Sequence, residues 1–144
     1  MQLTEQQYEQ LRELGNSHGL QFIILHGSYA TGKTRSDSDL DIAIVGGAPM
    51  TAADRTSFYA GLSDVFGDGS DREIDFKSLY HADSLFRYQV TRDGVLLYGD
   101  PRAYAEYKMF AFRDYIDTAD LRRLESQLTR SKQARLEAAL TATP

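Results

Sequence analysis

Residues 27–41 of the chain read GSYATGKTRSDSDLD, and this stretch decides the fold. A Gly-Ser pair is followed, after ten residues, by Asp39 and Asp41 with one residue between them. The stretch leads into the apolar run LDIAIV (residues 40–45), which predicts a strand, so both carboxylates leave the same face of that strand. Like charges at this spacing repel each other, so the pattern indicates either a positive partner between them or separate access to water.

The composition is that of one folded globular domain, expected to span residues 1–144. The 144 residues are 42% hydrophobic and 26% charged, with a formal net charge of -5. This balance gives no global basic field, so we do not expect direct nucleic-acid binding. Cysteine is absent from the sequence, which excludes disulfides and Cys-ligated zinc. The polar start MQLTEQQYEQ and the lack of a run of ~20 apolar residues predict no signal peptide, no membrane span and a cytoplasmic location.

Capping residues and hydrophobic periodicity predict the helices and strands. Thr4 followed by Gln7 is typical of a capping box, and Asp100 followed by Pro101 is typical of a helix start. The predicted order is helix 4–17, strand 20–25, glycine-rich loop 27–38, strand 40–45, helix 51–65, strand 74–78, helix 82–92, strand 95–99 and a helical segment from 100 to about 140. The last segment fits either one bent helix or two helices that meet near 117–120. We therefore expect an α/β (α+β) fold with a small mixed sheet covered on one side by helices.

Three carboxylates form the candidate metal site. Asp39 and Asp41 share one face of their strand, and Asp75 lies on the polar face of a later strand, in REIDFKSL. If the two strands are neighbours, the three side chains converge. Such a cluster needs a divalent cation, and ligands that are all oxygen favour Mg²⁺ or Mn²⁺. Two such ions would activate an attacking oxygen and stabilise a leaving one.

The glycine-rich loop has the chemistry of a phosphate site. Gly27 allows close approach of backbone N–H groups, Ser28 adds a hydroxyl donor, and Lys33 and Arg35 supply positive charge. Residues 27–34, GSYATGKT, also match the Walker A pattern. That motif requires a long helix immediately after it, whereas a polar loop and a strand follow here, so we reject the Walker interpretation.

The pattern G-S-x10-D-x-D with a third Asp on a later strand resembles the nucleotidyltransferase superfamily related to DNA polymerase β. The resemblance covers roughly residues 5–125, and GVLLYGD (94–100) is also similar to the family. Within that superfamily the chain most resembles the minimal nucleotidyltransferases that act as antitoxins to HEPN-domain toxins. The resemblance implies the nucleotidyltransferase fold, with a catalytic core at about 18–100 and a C-terminal helical segment at about 101–140.

The resemblance also implies an activity and the residues that carry it. Members of this group transfer AMP from ATP to a tyrosine of a partner HEPN ribonuclease and so silence it. Asp39 and Asp41 would hold the metals that bind the triphosphate, and Asp75 would hold the catalytic metal and help to deprotonate the acceptor. Gly27 and Ser28 would hold the β and γ phosphates. The related loop often reads G-S-x-A-R-G, with a basic residue where this chain has Thr31; Lys33 or Arg35 would then substitute, or nucleotide binding would be weaker.

Other interpretations of the same residues stay open at this point. The acidic run is also typical of a solvated loop edge, and Lys33 and Arg35 of ordinary loop charges. We expect His26 to be a strand-end residue rather than a ligand. The aromatic residues of 104–115 suit a core or an interface, and the basic residues of 122–135 suit a solvated face or a docking surface. The same chemistry on a small molecule such as an aminoglycoside, and a non-catalytic module that binds a toxin, remain alternative functions.

Overall fold

The computed structural model describes residues 2–35, 38–67 and 73–141, which form one four-stranded sheet and six helices. The mixed α/β architecture predicted from the sequence is confirmed. In chain order the elements are α1 (Glu5–Ser17), β1 (Leu20–His26), α2 (Gly27–Thr31), β2 (Leu40–Gly46), α3 (Ala52–Phe66), β3 (Ile74–Ser78), α4 (Ser84–Asp93), β4 (Val95–Tyr98), α5 (Pro101–Asp117) and α6 (Ala119–Thr141).

The sheet has the strand order β3-β2-β1-β4 and is mixed. β1 runs antiparallel to both β2 and β4, whereas β2 and β3 are parallel neighbours. Parallel neighbours need a crossover connection, and α3 lies in the segment that provides it. The strand that carries Asp41 is therefore adjacent to the strand that carries Asp75.

Helices cover both faces of the sheet, so the expectation of a one-sided cover is wrong. On one face, β1 to β4 pack with Leu11 of α1 and Phe58 of α3; on the other, Phe22 and Ala43 pack with Val90 of α4. The reason lies in β1 and β2, where four consecutive residues are buried in each strand. Continuous apolar runs of this kind are typical of strands buried on both faces.

Local hydrogen bonds fix the helix starts. The Thr4 hydroxyl accepts from the N–H of Gln7 while the Gln7 side chain accepts from the N–H of Thr4, which is the predicted capping box. Thr51 and Asp54 form the same arrangement at α3. Asp100 accepts from the N–H of Ala103 at the start of α5, directly before Pro101. These caps satisfy N–H groups that the first turn of a helix leaves without partners.

The C-terminal helical segment consists of two helices. α5 ends at Asp117 and α6 starts at Ala119, so of the two arrangements that the sequence allowed, the broken one is observed. Arg122 joins α6 to the domain: its guanidinium donates to the Ser84 hydroxyl at 3.0 Å, to the Thr118 hydroxyl and to the Tyr115 carbonyl. Beyond this anchor, α6 buries none of its residues.

The aromatic residues of α5 divide between core and surface. Tyr104 is buried in the core that contains Phe22 and Val90, and this burial raises the pKa of its hydroxyl to about 12. Tyr115 stacks on Tyr88 of α4 with ring centroids 4.5 Å apart. Phe110 and Phe112 remain about half exposed. Both expected roles, core and available surface, are therefore present on one helix.

Candidate active site

Strand pairing brings two of the predicted carboxylates side by side. Asp41 of β2 is the register partner of Asp75 of β3, and on its other side it is the partner of His26 of β1. Register partners on adjacent strands point to the same face, with Cβ atoms ~5 Å apart. The condition that the sequence left open, that the two strands are neighbours, is met. The row of titratable side chains that crosses the sheet consists of His26, Asp41 and Asp75, and Asp39 is not part of it.

Burial and neighbouring negative charges disfavour the ionised form of Asp41 in this row. Partial burial raises the pKa of Asp41, a shift that His26 opposes and that the negative charges of Asp75 and Asp39 reinforce. Burial also lowers the pKa of His26, although Asp41 opposes this shift. Asp39 lies just before β2 and is exposed, and its charge acts on Asp41 from there. The site therefore favours the binding of a cation.

Lys77 is a site residue that sequence reasoning did not identify. Its ammonium pairs with Asp75 at 3.1 Å and lies 6.0 Å from the centre of the Phe86 ring of α4. The signal was present in the alternation of β3, where Lys77 and Asp75 stand two residues apart on the polar face. Alternation alone does not separate an ammonium that pairs with a neighbouring carboxylate from one that only faces water.

Gly27 is required where it stands. Its φ of +69° lies in the left-handed region, and a Cβ at this position would collide with the Asp41 carboxylate. The backbone of Gly27 therefore lies directly against the acidic row. Since any side chain would separate the two, the glycine brings main-chain groups and carboxylates to one point.

The sequence predicted a loop over residues 27–38. The prediction is wrong for residues 27–31, which form the short helix α2. Residues 36 and 37 of the predicted loop lie outside the described residues. Gly32 ends α2 in the left-handed conformation, and the N–H groups of Gly32 and Lys33 both donate to the Ser28 carbonyl. The Thr31 hydroxyl donates to the Gly27 carbonyl at 3.1 Å, which keeps it within the turn. No side chain among the described residues caps the first turn of α2. Its N–H groups can therefore bind an external acceptor.

A cavity of about 290 Å³ opens beside Gly27, between α2 and α4. The residues around it include His26, Gly27, Thr31, Phe86, Gln89 and Arg92. Gln89 and Arg92 were not identified from the sequence, because only the tertiary structure places α4 next to α2. His26 ends its strand as expected and meets the Phe86 ring edge-on, with centroids 5.9 Å apart. Lys33 and Arg35 are exposed and form no ion pair within the part of the chain that the structure describes.

The donor set suits a hard divalent cation, although its side chains are not gathered around one position. Among the described residues, no group of three His, Asp or Glu side chains is arranged to hold a metal ion. Asp75 is engaged by Lys77, and Asp39 lies outside the strand pairing. The chemistry nevertheless fits, because the ligands are carboxylate oxygens and the like charges around Asp41 call for neutralisation.

None of the helices in the described parts of the chain has the length and apolar character needed to span a membrane.

Comparison with known proteins agrees with this geometry. The family model "Polymerase beta, Nucleotidyltransferase" matches residues 9–103, well over half of the chain. The chain is 29% identical over 125 residues to the protein adenylyltransferase MntA of Aphanizomenon flos-aquae (strain 2012/KM1/D3), covering 80% of this chain and 79% of that protein.

Solved structures show the same fold. A toxin-antitoxin crystal structure with AMP-PNP superposes with a TM-score of 0.66 at 22% identity, over 85% of this chain and 98% of the other. A complex of a tri-AMPylated Shewanella oneidensis HEPN toxin with its MNT antitoxin gives a TM-score of 0.62 at 20% identity, over 87% and 98% of the two chains. The matched region contains Gly27, Asp41 and Asp75, and the chain therefore belongs to the polymerase beta-type nucleotidyltransferase family.

Proposed function

We propose that this protein transfers AMP from ATP to a tyrosine hydroxyl of a cognate HEPN-domain toxin and so acts as its antitoxin. The observation that carries the proposal is the placement of Asp41 and Asp75 side by side against the backbone of Gly27. Relatives named as a protein adenylyltransferase and as the antitoxin of an AMPylated HEPN toxin support the substrate class. Because ATP is the donor, the proposed site of action is the cytoplasm.

The carboxylates would hold divalent metal in this proposal. Asp39, Asp41 and Asp75 are the proposed ligands of Mg²⁺, with two ions and with Mn²⁺ as a possible replacement. When bound, the metal neutralises charge on the triphosphate and on the attacking oxygen. Lys77 must release Asp75 for this to happen, and the pair is exposed enough to exchange partners, with side chains about half accessible.

The turn at α2 would hold the phosphates. Gly27 and Ser28 offer N–H groups that no side chain caps, and the Ser28 hydroxyl makes no hydrogen bond among the described residues. Lys33 and Arg35 follow the turn and would add positive charge. Gly27 belongs both to this turn and to the wall of the acidic row, so it would bring the triphosphate next to the carboxylates.

The proposed step is a single in-line displacement. The tyrosine oxygen attacks the α-phosphorus of ATP, an O–P bond forms, the bond from that phosphorus to the bridging oxygen breaks, and pyrophosphate leaves. The phenolic proton passes to the Asp75 carboxylate, which stands at the edge of the row and is exposed to an incoming partner. Positioning and charge neutralisation account for most of the rate enhancement in reactions of this type.

The C-terminal helices offer a surface for the partner toxin. α6 exposes Leu121, Leu124 and Leu128 at the i, i+3, i+7 spacing of one helical face. A cavity of about 460 Å³ between this face and the start of α4 is lined by Leu85 and Leu121 among other residues. An apolar stripe on a helix that packs against so little of its own chain is typical of a protein-binding surface. We propose that the HEPN partner occupies it, so that residues 101–140 form a docking segment on a catalytic core at about 18–100.

The test is transfer of radiolabelled AMP to the partner. The chain is co-purified with the product of the neighbouring gene and incubated with Mg²⁺ and ATP labelled in the α-phosphate. We expect label on a partner tyrosine, loss of label with Asp39→Ala, and normal label with Asp64→Ala, an exposed carboxylate of α3. Neutralisation of the toxin that persists in Asp39→Ala would mean binding without catalysis. Label on an added aminoglycoside but not on the partner would mean a small-molecule substrate; either result refutes the proposal.

A further inference from the structure

The cavity between α2 and α4 raises a question about charge. Phosphate sites near a glycine turn usually include a cation, and the turn of this chain, residues 27–31, contains none. The Thr31 hydroxyl is hydrogen-bonded to the Gly27 carbonyl, and a hydroxyl carries no charge. If the turn binds a triphosphate in this chain, the positive charge has to come from another element.

Arg92 of α4 is the residue that the structure brings to that position. Among the described residues that line the cavity, it is the one with a permanent positive charge, and it shares the cavity wall with Gly27 and Thr31. Its Nε and Nη2 donate to one carboxylate oxygen of Asp93, at 2.9 and 2.5 Å, and its guanidinium lies 5.9 Å from the centre of the Tyr88 ring. Nη1 forms no hydrogen bond within the described chain, so a donor remains for a ligand.

Two groups of opposite charge border Gly27, an arrangement that suits a metal-bound triphosphate. Gly27 lies against the acidic row with Asp41 and Asp75 and also lines the cavity with Arg92, whose guanidinium pairs with Asp93. Lys33 acts on Asp93 from the end of the turn, so a second cation is near. A triphosphate that bridges the two sides would direct some oxygens towards the carboxylate-bound cation and others towards the guanidinium.

We propose that Arg92 supplies, from α4, the phosphate-binding cation that position 31 lacks. The inference rests on the proposed function, because it assumes that ATP binds at the turn. It changes the assignment made from the sequence: Arg92 becomes the principal cation, whereas Lys33 and Arg35 are exposed and do not line the cavity. Asp93 pairs with this guanidinium at the surface, and the exposed pair can exchange partners when the nucleotide binds.

The experiment measures ATP and adenosine binding by titration calorimetry in the presence of Mg²⁺. We expect Arg92→Ala to weaken ATP binding roughly tenfold, as a charge-assisted contact implies, and to leave adenosine binding unchanged. Thr31→Arg added to Arg92→Ala restores the affinity for ATP to within about threefold of the original value, because the two positions serve the same ligand. Arg12→Ala is the matched control, since Arg12 forms a comparable exposed ion pair with Glu9 at 2.9 Å away from the cavity.

Thermal melting accompanies each titration, and Arg92→Gln replaces Arg92→Ala if the alanine variant does not fold. Unchanged ATP affinity in a folded Arg92 variant overturns the proposal, as do equal losses for ATP and adenosine, which would mean a contact with the nucleoside. Failure of Thr31→Arg to restore binding overturns the claim that the two positions substitute for each other. An unmodified protein that does not bind ATP refutes the proposed function itself, a result distinct from a defect confined to Arg92.

Discussion

The acidic row of the sheet and the helix α6 show opposite relations between sequence and structure. Asp41 and Asp75 stand next to apolar strand residues that are buried in the core, so the packing of Ile42 and Phe76 sets the direction of both carboxylates. α6 is 23 residues long and none of its residues is buried. In the row, polar groups are fixed by apolar neighbours; on α6, apolar groups are presented by a helix that its own domain barely contacts.

The difference indicates where the protein is preorganised and where it depends on another molecule. A chemical site gains from fixed geometry, because charges placed before the reaction need no rearrangement during it. A helix without packing is only marginally stable in water, so its leucine stripe gains most from a partner. Arg122 connects the two regions by tying the start of α6 to Ser84 of α4. The following predictions test this division, from the largest expected effect to the smallest.

The first prediction separates chemistry from stability at the row. Asp41→Asn should lower the rate of AMP transfer by roughly 10²–10³, the usual cost of losing one electrostatic group in an active site. The melting temperature of Asp41→Asn in EDTA should be higher than that of the unmodified protein. Partial burial and the charges of Asp75 and Asp39 raise the pKa of Asp41, so its ionised form destabilises the folded state and the neutral Asn removes this cost. Transfer assays and calorimetry on one preparation measure both. A lower melting temperature would show that the carboxylate stabilises the sheet.

The second prediction concerns the partner surface. Leu124→Asp together with Leu128→Asp should weaken binding of the HEPN partner by about 10–100-fold, because two apolar contacts are replaced by charges that resist burial. ATP binding should stay unchanged, since both leucines lie on α6 outside the cavity near Gly27. Gln133→Asp, on the opposite side of the same helix, is the control. Equal weakening by all three substitutions would mean that charge, and not the stripe, controls docking.

The third prediction concerns the exposed ion pair inside the row. Lys77→Gln removes the ammonium that occupies Asp75 at 3.1 Å, so Mn²⁺ should bind roughly twofold to fivefold more tightly, in line with the small energy of an exposed ion pair. Electron paramagnetic resonance of free Mn²⁺ measures the affinity directly. Weaker Mn²⁺ binding would show that Lys77 supports the metal site instead of competing with the ion.

The sequence predicted the local features of this protein well. The capping box at Thr4 and the Asp100–Pro101 helix start depend on neighbouring residues alone, and both are observed. The order of predicted helices and strands indicated the α/β class, and the resemblance carried by G-S-x10-D-x-D implied the nucleotidyltransferase fold.

Features that depend on tertiary structure could not be predicted from the sequence. The contact of Asp41 with Gly27, the ion pair of Lys77 and the position of Arg92 on the cavity wall all depend on elements separated along the chain. The second helical layer was missed for a similar reason: a run of buried strand residues does not say which helices cover each face. The short helix α2 was missed because it is only five residues long, begins at Gly27 and is followed directly by Gly32, and closely spaced glycines are typical of a loop.

The last prediction removes most of α6. Ending the chain after Ser126 keeps Arg122 and its hydrogen bond to Ser84 but deletes residues 127–144, of which the described part, 127–141, is exposed throughout. Because little apolar area is lost from the domain, the melting temperature should change by less than about 2 °C. Partner binding should fall with the loss of Leu128. A larger drop in the melting temperature would mean that the end of α6 stabilises its own domain, and the contrast between a self-sufficient site and a partner-dependent helix would then be wrong.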